Sequence, residues 1–241
     1  YEDHFAVNVD EDGNTIDNHV KADPISTYQV KGGALYNVNE NLGVFINSGY
    51  VQKAPILDNV IYYDGTVATD PDNEKFLHNE IGANFGTDKV GVRVSAYNTD
   101  WKDRNLTKSV STGQGSSGDT DIIFLTGVNQ KHQGLELETK VKPTDKLELD
   151  FIASFGNWKF DGDADGTYQE QEYNDNNQVI GVTTTEYSYA LDGLYVGDMP
   201  QTSYILGLTY KPIKGLRLQA LYKTYDRNFA DWSPESREVE G

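Results

Sequence analysis

Residues 131–160, KHQGLELETKVKPTDKLELDFIASFGNWKF, decide the fold of this chain. Apolar and polar residues alternate along both halves of the stretch, and residues 143–145 between the halves predict a tight turn. Alternation with a period of two is typical of a strand with one apolar and one polar face. The stretch therefore predicts a β-hairpin whose apolar face carries Leu135, Leu137, Val141, Leu147, Leu149, Phe151, Ala153 and Phe155.

The rest of the chain repeats this hairpin. The same alternation predicts strands at about residues 26–37, 42–50, 74–86, 90–102, 131–142, 147–160, 200–212 and 216–225. Turns within the four hairpins are short, whereas the connections at about 51–73, 103–130 and 161–198 are long; residues 122–128 inside one of them suggest a further short strand. Short turns at one rim and long loops at the other are typical of outer-membrane barrels, and soluble sandwiches mix their loop lengths more evenly.

Composition narrows the class of protein. The net charge of −18 argues against nucleic-acid binding, which needs a basic surface. The chain has no cysteine, so it contains no disulfide and no thiolate metal site. No apolar run reaches the roughly 20 residues of a membrane helix, but a membrane strand needs only about 9–11 alternating residues. We therefore predict an all-β, antiparallel up-and-down transmembrane β-barrel, of which residues 1–241 form a part.

The two faces of the predicted strands leave one alternative open. Alternation alone also fits a soluble barrel with its apolar face inside. Small residues on the apolar face, such as Ala34, Ala96 and Ala153, favour lipid contact, because lipid chains conform to a surface that would leave a closed core loosely filled. We expect two interfacial aromatic belts. One comprises Tyr36, Phe85 and Tyr210 near the short turns, and the other comprises Tyr50, Tyr97, Trp101, Trp158, Phe160, Tyr222 and Tyr225 near the long loops.

One long loop carries a candidate calcium site. Asp161, Asp163, Asp165 and Glu172, with Gly166 between them, fit the D-x-D-x-D-G-x5-E pattern of a calcium loop. Carboxylate oxygens at this spacing suit a hard cation, and residues 161–198 contain no Lys or Arg. The flanking sequence predicts no helices, so a solvated acidic loop is the alternative.

Nothing in the sequence argues for an enzyme. The four histidines, His4, His19, His78 and His132, lie on different predicted elements. The segment Gly113-Gln114-Gly115 precedes no helix that would bind phosphate. Paired carboxylates such as Glu136 and Glu138 are neighbours on one polar strand face.

Several motifs together resemble one family. They are KGGALYN at 31–37, GVFIN at 43–47, AP at 54–55, DNV at 58–60, PDNEK at 71–75, EIG at 80–82, AYNTDWKDR at 96–104 and HQGLELE at 132–138. Each motif alone is weak, but their order and spacing resemble the barrel of TonB-dependent outer-membrane receptors, especially those of Bacteroidetes. The resemblance covers most of residues 27–232, strands more than loops.

The resemblance implies a 22-stranded barrel in the bacterial outer membrane, plugged by an N-terminal domain. Ligand would bind at the extracellular loops and the plug, and a TonB-type inner-membrane complex would supply energy through a short N-terminal box. Outer-membrane lipid and a surface lipoprotein are further implied partners. We expect the plug, the box and the C-terminal strands to lie outside these 241 residues.

The sequence thus predicts a receptor for energised uptake of a scarce ligand, such as a ferric siderophore, a cofactor or an oligosaccharide. Loop tyrosines suited to stack on sugar or catecholate rings are Tyr168, Tyr173, Tyr187, Tyr189 and Tyr195. The acidic loops do not favour a strongly anionic ligand unless cations intervene. The alternatives are a passive porin or adhesin barrel, or a soluble calcium-dependent carbohydrate-binding β-domain.

Overall fold

A computed structural model describes residues 2–4, 14, 19–61, 66–69, 71–111, 120–176 and 178–239. These residues form strands and two 3₁₀ turns, and none of their helices is long and apolar enough to span a membrane. The strands are β1 Glu2–His4, β2 His19–Lys21, β3 Gln29–Asn37, β4 Leu42–Lys53, β5 Glu74–Gly86, β6 Val90–Ser111, β7 Thr120–Thr144, β8 Leu147–Phe160, β9 Ala164–Tyr173, β10 Val179–Tyr189, β11 Pro200–Tyr210, β12 Leu218–Asn228 and β13 Glu238–Val239. The 3₁₀ turns are Leu57–Asn59 and Pro234–Ser236.

The main sheet is antiparallel and up-and-down. Its strands lie in the order β3-β4-β5-β6-β7-β8-β11-β12, so each strand is hydrogen-bonded to its neighbour in this path. The short connections of residues 38–41, 87–89, 145–146 and 211–217 lie at one rim, which we call the turn rim, and the long connections lie at the opposite loop rim. The sheet therefore has the asymmetry that the loop lengths predicted.

The hairpin of residues 131–160 is formed by β7 and β8. Its ladder runs from Gln130 opposite Phe160 to Thr144 opposite Leu147, and its turn is Asp145-Lys146. The predicted turn at 143–145 begins two residues too early, because Pro143 lies within β7. Pro143 has no N–H to donate, and the ladder accommodates it by a register shift between Val141 and Thr144.

Two predicted loops are strands. The connection expected at 103–130 is the outer halves of β6 and β7, which pair as far as Ser111 opposite Thr120. The register shifts between Trp101 and Leu106, and Asp103 has a positive φ of 54°. This bulge breaks the apolar alternation, so the sequence pattern ends there although the backbone pairing continues.

The loop expected at 161–198 contains the β9–β10 hairpin, which pairs from Ala164 opposite Tyr189 to Tyr173 opposite Val179. Its sequence is rich in Thr and Tyr, which favour strands, but it lacks a clean apolar face. One edge of β7 pairs with two different strands along its length. Residues 130–144 of β7 pair with β8, and residues 123–126 pair with β9. Strands β9, β10 and β13, with the outer halves of β6 and β7, form what we call the outer sheet.

A compact apolar cluster holds the outer sheet. Leu125 and Leu191 are completely buried in it, and Trp232 packs its ring against Tyr189 and Phe160 at centroid distances of 5.4 and 6.4 Å. The remaining buried members are Ile123, Val128 and Ala164. A second, smaller cluster of Ala22, Val60 and Ile61 joins the segment that precedes β3 to the connection after β4.

The two faces of the main sheet differ in exposure. On the apolar face, Tyr36, Ile81 and Leu135 are 69%, 61% and 55% exposed. On the polar face, Ser95, Thr99, Gln130 and Thr209 are buried. The apolar face is therefore an outer surface and not the core of this chain, as a lipid-facing barrel requires.

Candidate ligand-binding wall and outer sheet

Six rings lie together on the polar face near the loop rim. The register places His78, Thr99, His132 and Trp158 in one row across β5 to β8, and Phe76 opposite Trp101 in the next row outward. Tyr97 lies opposite Glu80, one row inward. We call this set the aromatic wall; its members are Phe76, His78, Tyr97, Trp101, His132 and Trp158.

This placement corrects part of the predicted aromatic belts. Tyr97, Trp101, Trp158, Phe160 and Tyr225 belong to the polar face, because each lies opposite polar-face residues in its ladder. The predicted belt residues that share the apolar face are Tyr36, Tyr50, Phe85, Tyr210 and Tyr222. The belt prediction used distance from the rim alone, whereas the alternation had already assigned these rings to opposite faces.

The rings of the aromatic wall contact one another across the strands. His132 stacks on Trp158 with centroids 5.4 Å apart and an interplanar angle of 18°, and Trp101 meets His132 edge-on at 6.5 Å. Phe76 contacts both Trp101 at 5.7 Å and His78 at 6.4 Å. His78 in turn lies 6.2 Å from Tyr97. These contacts make the six rings one continuous surface.

Two of these rings lie over glycines. A Cβ on Gly134 would lie 2.5 Å from the hydroxyl oxygen of Tyr97, and a Cβ on Gly156 would lie 2.8 Å from the indole of Trp158. Both glycines therefore leave room for a ring to cover the neighbouring backbone. Phe45 covers Gly82 in the same way nearer the turn rim.

Polar groups fix the ring positions. Trp101 Nε1 donates to a carboxylate oxygen of Glu74 at 3.1 Å, and Arg104 lies 4.1 Å above the Trp101 ring. Arg104 also donates to Gln130 Oε1 at 2.9 Å. Glu74 is 2% exposed and pairs with Lys53 at 2.8 Å. Charged side chains at the loop rim thus fix the position of Trp101 at the outer edge of the aromatic wall.

The polar face changes character toward the turn rim. There Arg93 pairs with Glu80 at 2.9 Å, and Lys140 lies within 3.4 Å of both Glu148 and Asp150. Charged pairs at the centres of these strands are acceptable against a polar lumen and unfavourable against lipid. The face therefore divides into an aromatic zone near the loops and an ionic zone near the turns.

The predicted ligand-binding tyrosines do not form one group. Tyr168, Tyr187 and Tyr189 lie on one face of the β9–β10 hairpin, where Tyr187 stacks on Tyr189 at 6.4 Å. Tyr195 stacks on Phe229 at 4.0 Å and lies under Lys159. Tyr173 is exposed at the end of β9. The structure thus brings three of the five together, around a cleft described below.

The structure does not bring the predicted calcium ligands together. Asp165 and Glu172 lie on the extended strand β9, seven residues and therefore about 23 Å apart. Asp163 Oδ1 accepts hydrogen bonds from the Leu191 and Asp192 amides at 2.9 and 3.1 Å, and Asp165 accepts one from the Ser188 hydroxyl. Among the described residues, no three His, Cys, Asp or Glu side chains are grouped to hold a metal ion.

Ion pairs connect the main sheet to its surroundings at the loop rim. The hydrogen bond from Lys102 lowers the pKa of Asp161, the first residue of the calcium pattern. Lys75 pairs with Asp103 in the β6 bulge at 2.7 Å and with Asp72 before β5 at 3.1 Å. The pairs with Asp161 and Asp72 help fix the outer segments on the sheet.

These features define a class of protein: a membrane β-barrel wall with a lipid-type outer face and a polar inner face. The family described as "TonB dependent receptor-like, beta-barrel" matches residues 1–238. The chain belongs to this family, whose members are receptors and transporters of the outer membrane.

One solved structure, "Copper transporter OprC", is similar over 78% of this chain and 32% of that chain, with 14% identity and a TM-score of 0.44. The chain thus spans about a third of the length of that protein. No curated protein sequence matches the chain.

Proposed function

We propose that this chain is part of a transporter that takes up its ligand through the outer membrane with energy from a TonB-type complex, and that the aromatic wall lines the ligand path. The observation that carries the proposal is the set of six contacting rings on the polar face beside the loop rim. An aromatic surface at this place would meet a ligand that enters from outside.

We propose an oligosaccharide as the ligand. Sugar rings have apolar faces that stack on indole and phenol rings, and their hydroxyls suit imidazole partners such as those of His78 and His132. The net charge of −18 disfavours an anionic chelate such as a catecholate siderophore, which remains the second candidate. A plug domain and a surface lipoprotein partner stay predictions from the family.

The experiment compares uptake and surface binding in cells that carry the gene. The variants are Trp101→Leu and Trp158→Leu, and the control is Tyr36→Leu on the lipid face. Each lost stacking contact contributes about 0.5–1.5 kcal/mol, so binding of the growth-supporting glycan weakens about two- to twelvefold in the two Trp variants and is unchanged in the control. Depleting the energising complex abolishes uptake and spares binding.

Two outcomes would contradict the proposal. Glycan binding that is equal in all variants would remove the aromatic wall from the ligand path. Growth defects restricted to iron-limited medium would replace the oligosaccharide with an iron chelate, and the aromatic wall would then be tested with that ligand.

A further inference from the structure

The outer sheet contains a small cleft away from the aromatic wall. Its volume is about 160 Å³, and its floor is Tyr189 and Ile123, which are 1% and 4% exposed. Tyr168 and Tyr187 form its side, and Glu235 and Glu238 complete its lining with Pro234. Three aromatic rings and two carboxylates therefore surround one space.

The strand register explains why these groups meet. Tyr168 on β9 lies opposite Thr185, two residues before Tyr187 on β10, so the three tyrosines share one face of the hairpin. Glu238 lies directly opposite Tyr189 in the β10–β13 pair. Residues directly opposite each other in an antiparallel pair project to the same face, so the carboxylate of Glu238 stands beside the tyrosines.

The side chains that line the cleft favour a positively charged ligand. Ring faces attract cations through their quadrupole, and aromatic cages of this type bind alkylated ammonium groups. The two carboxylates add negative charge, and no Lys or Arg lines the cleft. Lys108 lies opposite Ile123, but it pairs with Asp231 and lies over the Trp232 ring. Arg237 lies between the two glutamates in the sequence but does not line the cleft. Burial, and then the charge of Glu238, raises the pKa of Tyr189 to about 12, which agrees with a negative surrounding.

The size of the cleft limits its ligand to a small chemical group. At about 160 Å³ it is smaller than the roughly 300–1,000 Å³ of a pocket for a whole drug-sized ligand. We infer that the cleft formed by Tyr168, Tyr187, Tyr189, Glu235 and Glu238 binds an organic ammonium group. This group comes from a free small molecule or from a lysine side chain of a protein bound at the cell surface.

The test uses choline chloride, added to the purified protein in an uncharged detergent and followed by calorimetry and by saturation-transfer NMR of the methyl protons. The matched control ligand is 3,3-dimethylbutan-1-ol, which has the shape of choline without its charge. We expect choline to bind at least tenfold more tightly than this alcohol and to weaken as salt is raised. Equal binding of the two ligands would overturn the inference.

Three variants locate the site. Glu238→Gln removes one charge from an exposed side chain and weakens choline binding several-fold, and Tyr187→Leu removes a ring and weakens it about tenfold. Tyr187→Phe keeps the ring and keeps binding. Glu186→Gln is the control, since this residue lies opposite Thr167 on the other face of the same hairpin. Binding that Glu238→Gln and Glu186→Gln reduce equally would reflect net charge alone and would contradict the site.

A lysine-containing peptide distinguishes the two sources. Tighter binding of peptides that carry an unmodified lysine ε-ammonium group and an acetylated N-terminus than of choline assigns the cleft to a protein side chain, and weaker binding assigns it to a free ammonium compound. The absence of binding by both probes, in a protein whose strands β9 and β10 resist protease, would overturn the inference.

Discussion

Trp158 Nε1 donates a 2.8 Å hydrogen bond to the hydroxyl of Tyr97, two strands away across β7. The strand between them has glycine at the crossing point, because Gly134 lies opposite both Tyr97 and Gly156. The hydrogen bond thus passes over backbone that carries no side chain. The position of this half-buried ring pair therefore depends on two glycines that have no side chain.

The glycine beneath Tyr97 gives the first prediction. Gly134→Ala places a methyl group 2.5 Å from the Tyr97 hydroxyl oxygen and 2.7 Å from the Phe155 carbonyl oxygen, so the ring must move. We expect the free energy of unfolding to fall by about 1–3 kcal/mol, measured by urea unfolding in detergent with tryptophan fluorescence. Gly91→Ala, on the same face with nothing within 4 Å, is the control. Equal effects of the two substitutions would refute the account.

The bulge in β6 gives a second prediction. Asp103 has a φ of 54°, a conformation that β-branched residues avoid and asparagine tolerates, and its amide donates to Asn129 Oδ1 at 3.1 Å. Both Asp103→Asn and Asp103→Val remove the ion pair with Lys75, so their difference isolates backbone strain. We expect Asp103→Val to be less stable than Asp103→Asn by about 1–2 kcal/mol in thermal unfolding. Indistinguishable melting curves would show that the bulge carries no such strain.

The outer sheet has its own cluster and should unfold on its own. Trp232→Ala removes a buried ring that contacts Tyr189 and Phe160, at a cost of about 3–5 kcal/mol. We expect new protease cleavage between residues 161 and 198, with unchanged heat-dependent gel mobility of the barrel. Tyr173→Ala, at a ring that is 54% exposed, should leave the cleavage pattern as it is. Loss of the gel shift together with the new cleavage would mean that the two parts unfold as one.

The ion pair of Lys102 and Asp161 predicts a local pH dependence. The pKa of Asp161 is below its ordinary value of 3.8 in the folded chain, so the pair stabilises at higher pH and is lost as pH falls through the folded pKa. We expect amide exchange at residues 161–163 to accelerate below about pH 4 relative to the intrinsic rate. Lys102→Gln should remove this step, and a step that persists in Lys102→Gln would assign the titration elsewhere.

Calcium should not bind at residues 161–172. Asp165 and Glu172 lie on one extended strand, and the carboxylate of Asp163 already accepts two backbone amides. We expect no saturable heat on calcium titration and no change in melting temperature with a chelator. Stoichiometric binding that is abolished by Asp165→Asn would show that the β9 strand rearranges into a loop around the ion.

The sequence predicted those strands in which apolar and polar residues alternate. Residues 131–160 read as a hairpin because each face of β7 and β8 keeps its character over many residues. Past Trp101 the bulge at Asp103 breaks that alternation, so the outer half of β6 was predicted as a loop, and the outer half of β7 only as a short strand at 122–128. The same alternation already assigned Trp158 and Tyr97 to the polar face. The belt prediction did not use this assignment.

Other features depend on pairings that a single sequence does not show. The cleft needs Tyr189 opposite Glu238, about fifty residues apart in the chain, and no local pattern predicts that pair. The residues at 161–172 fit the calcium spacing, but the sequence does not show that Asp165 and Glu172 pair with Ser188 and Gly181 of β10. The glycines under the rings become meaningful only once the register of β6, β7 and β8 is known.

Strand β7 pairs along one edge first with β8 and then with β9. This arrangement has a consequence for how such chains diversify in evolution. The chain leaves the main sheet after Phe160 and returns to it at Pro200. Strand β11 then pairs directly with β8, although β9 and β10 lie between them in the sequence. Everything between these two points can lengthen, shorten or change its chemistry without altering the pairing of β8 with β11. New binding surfaces can therefore arise beyond the loop rim while this part of the main sheet is inherited unchanged.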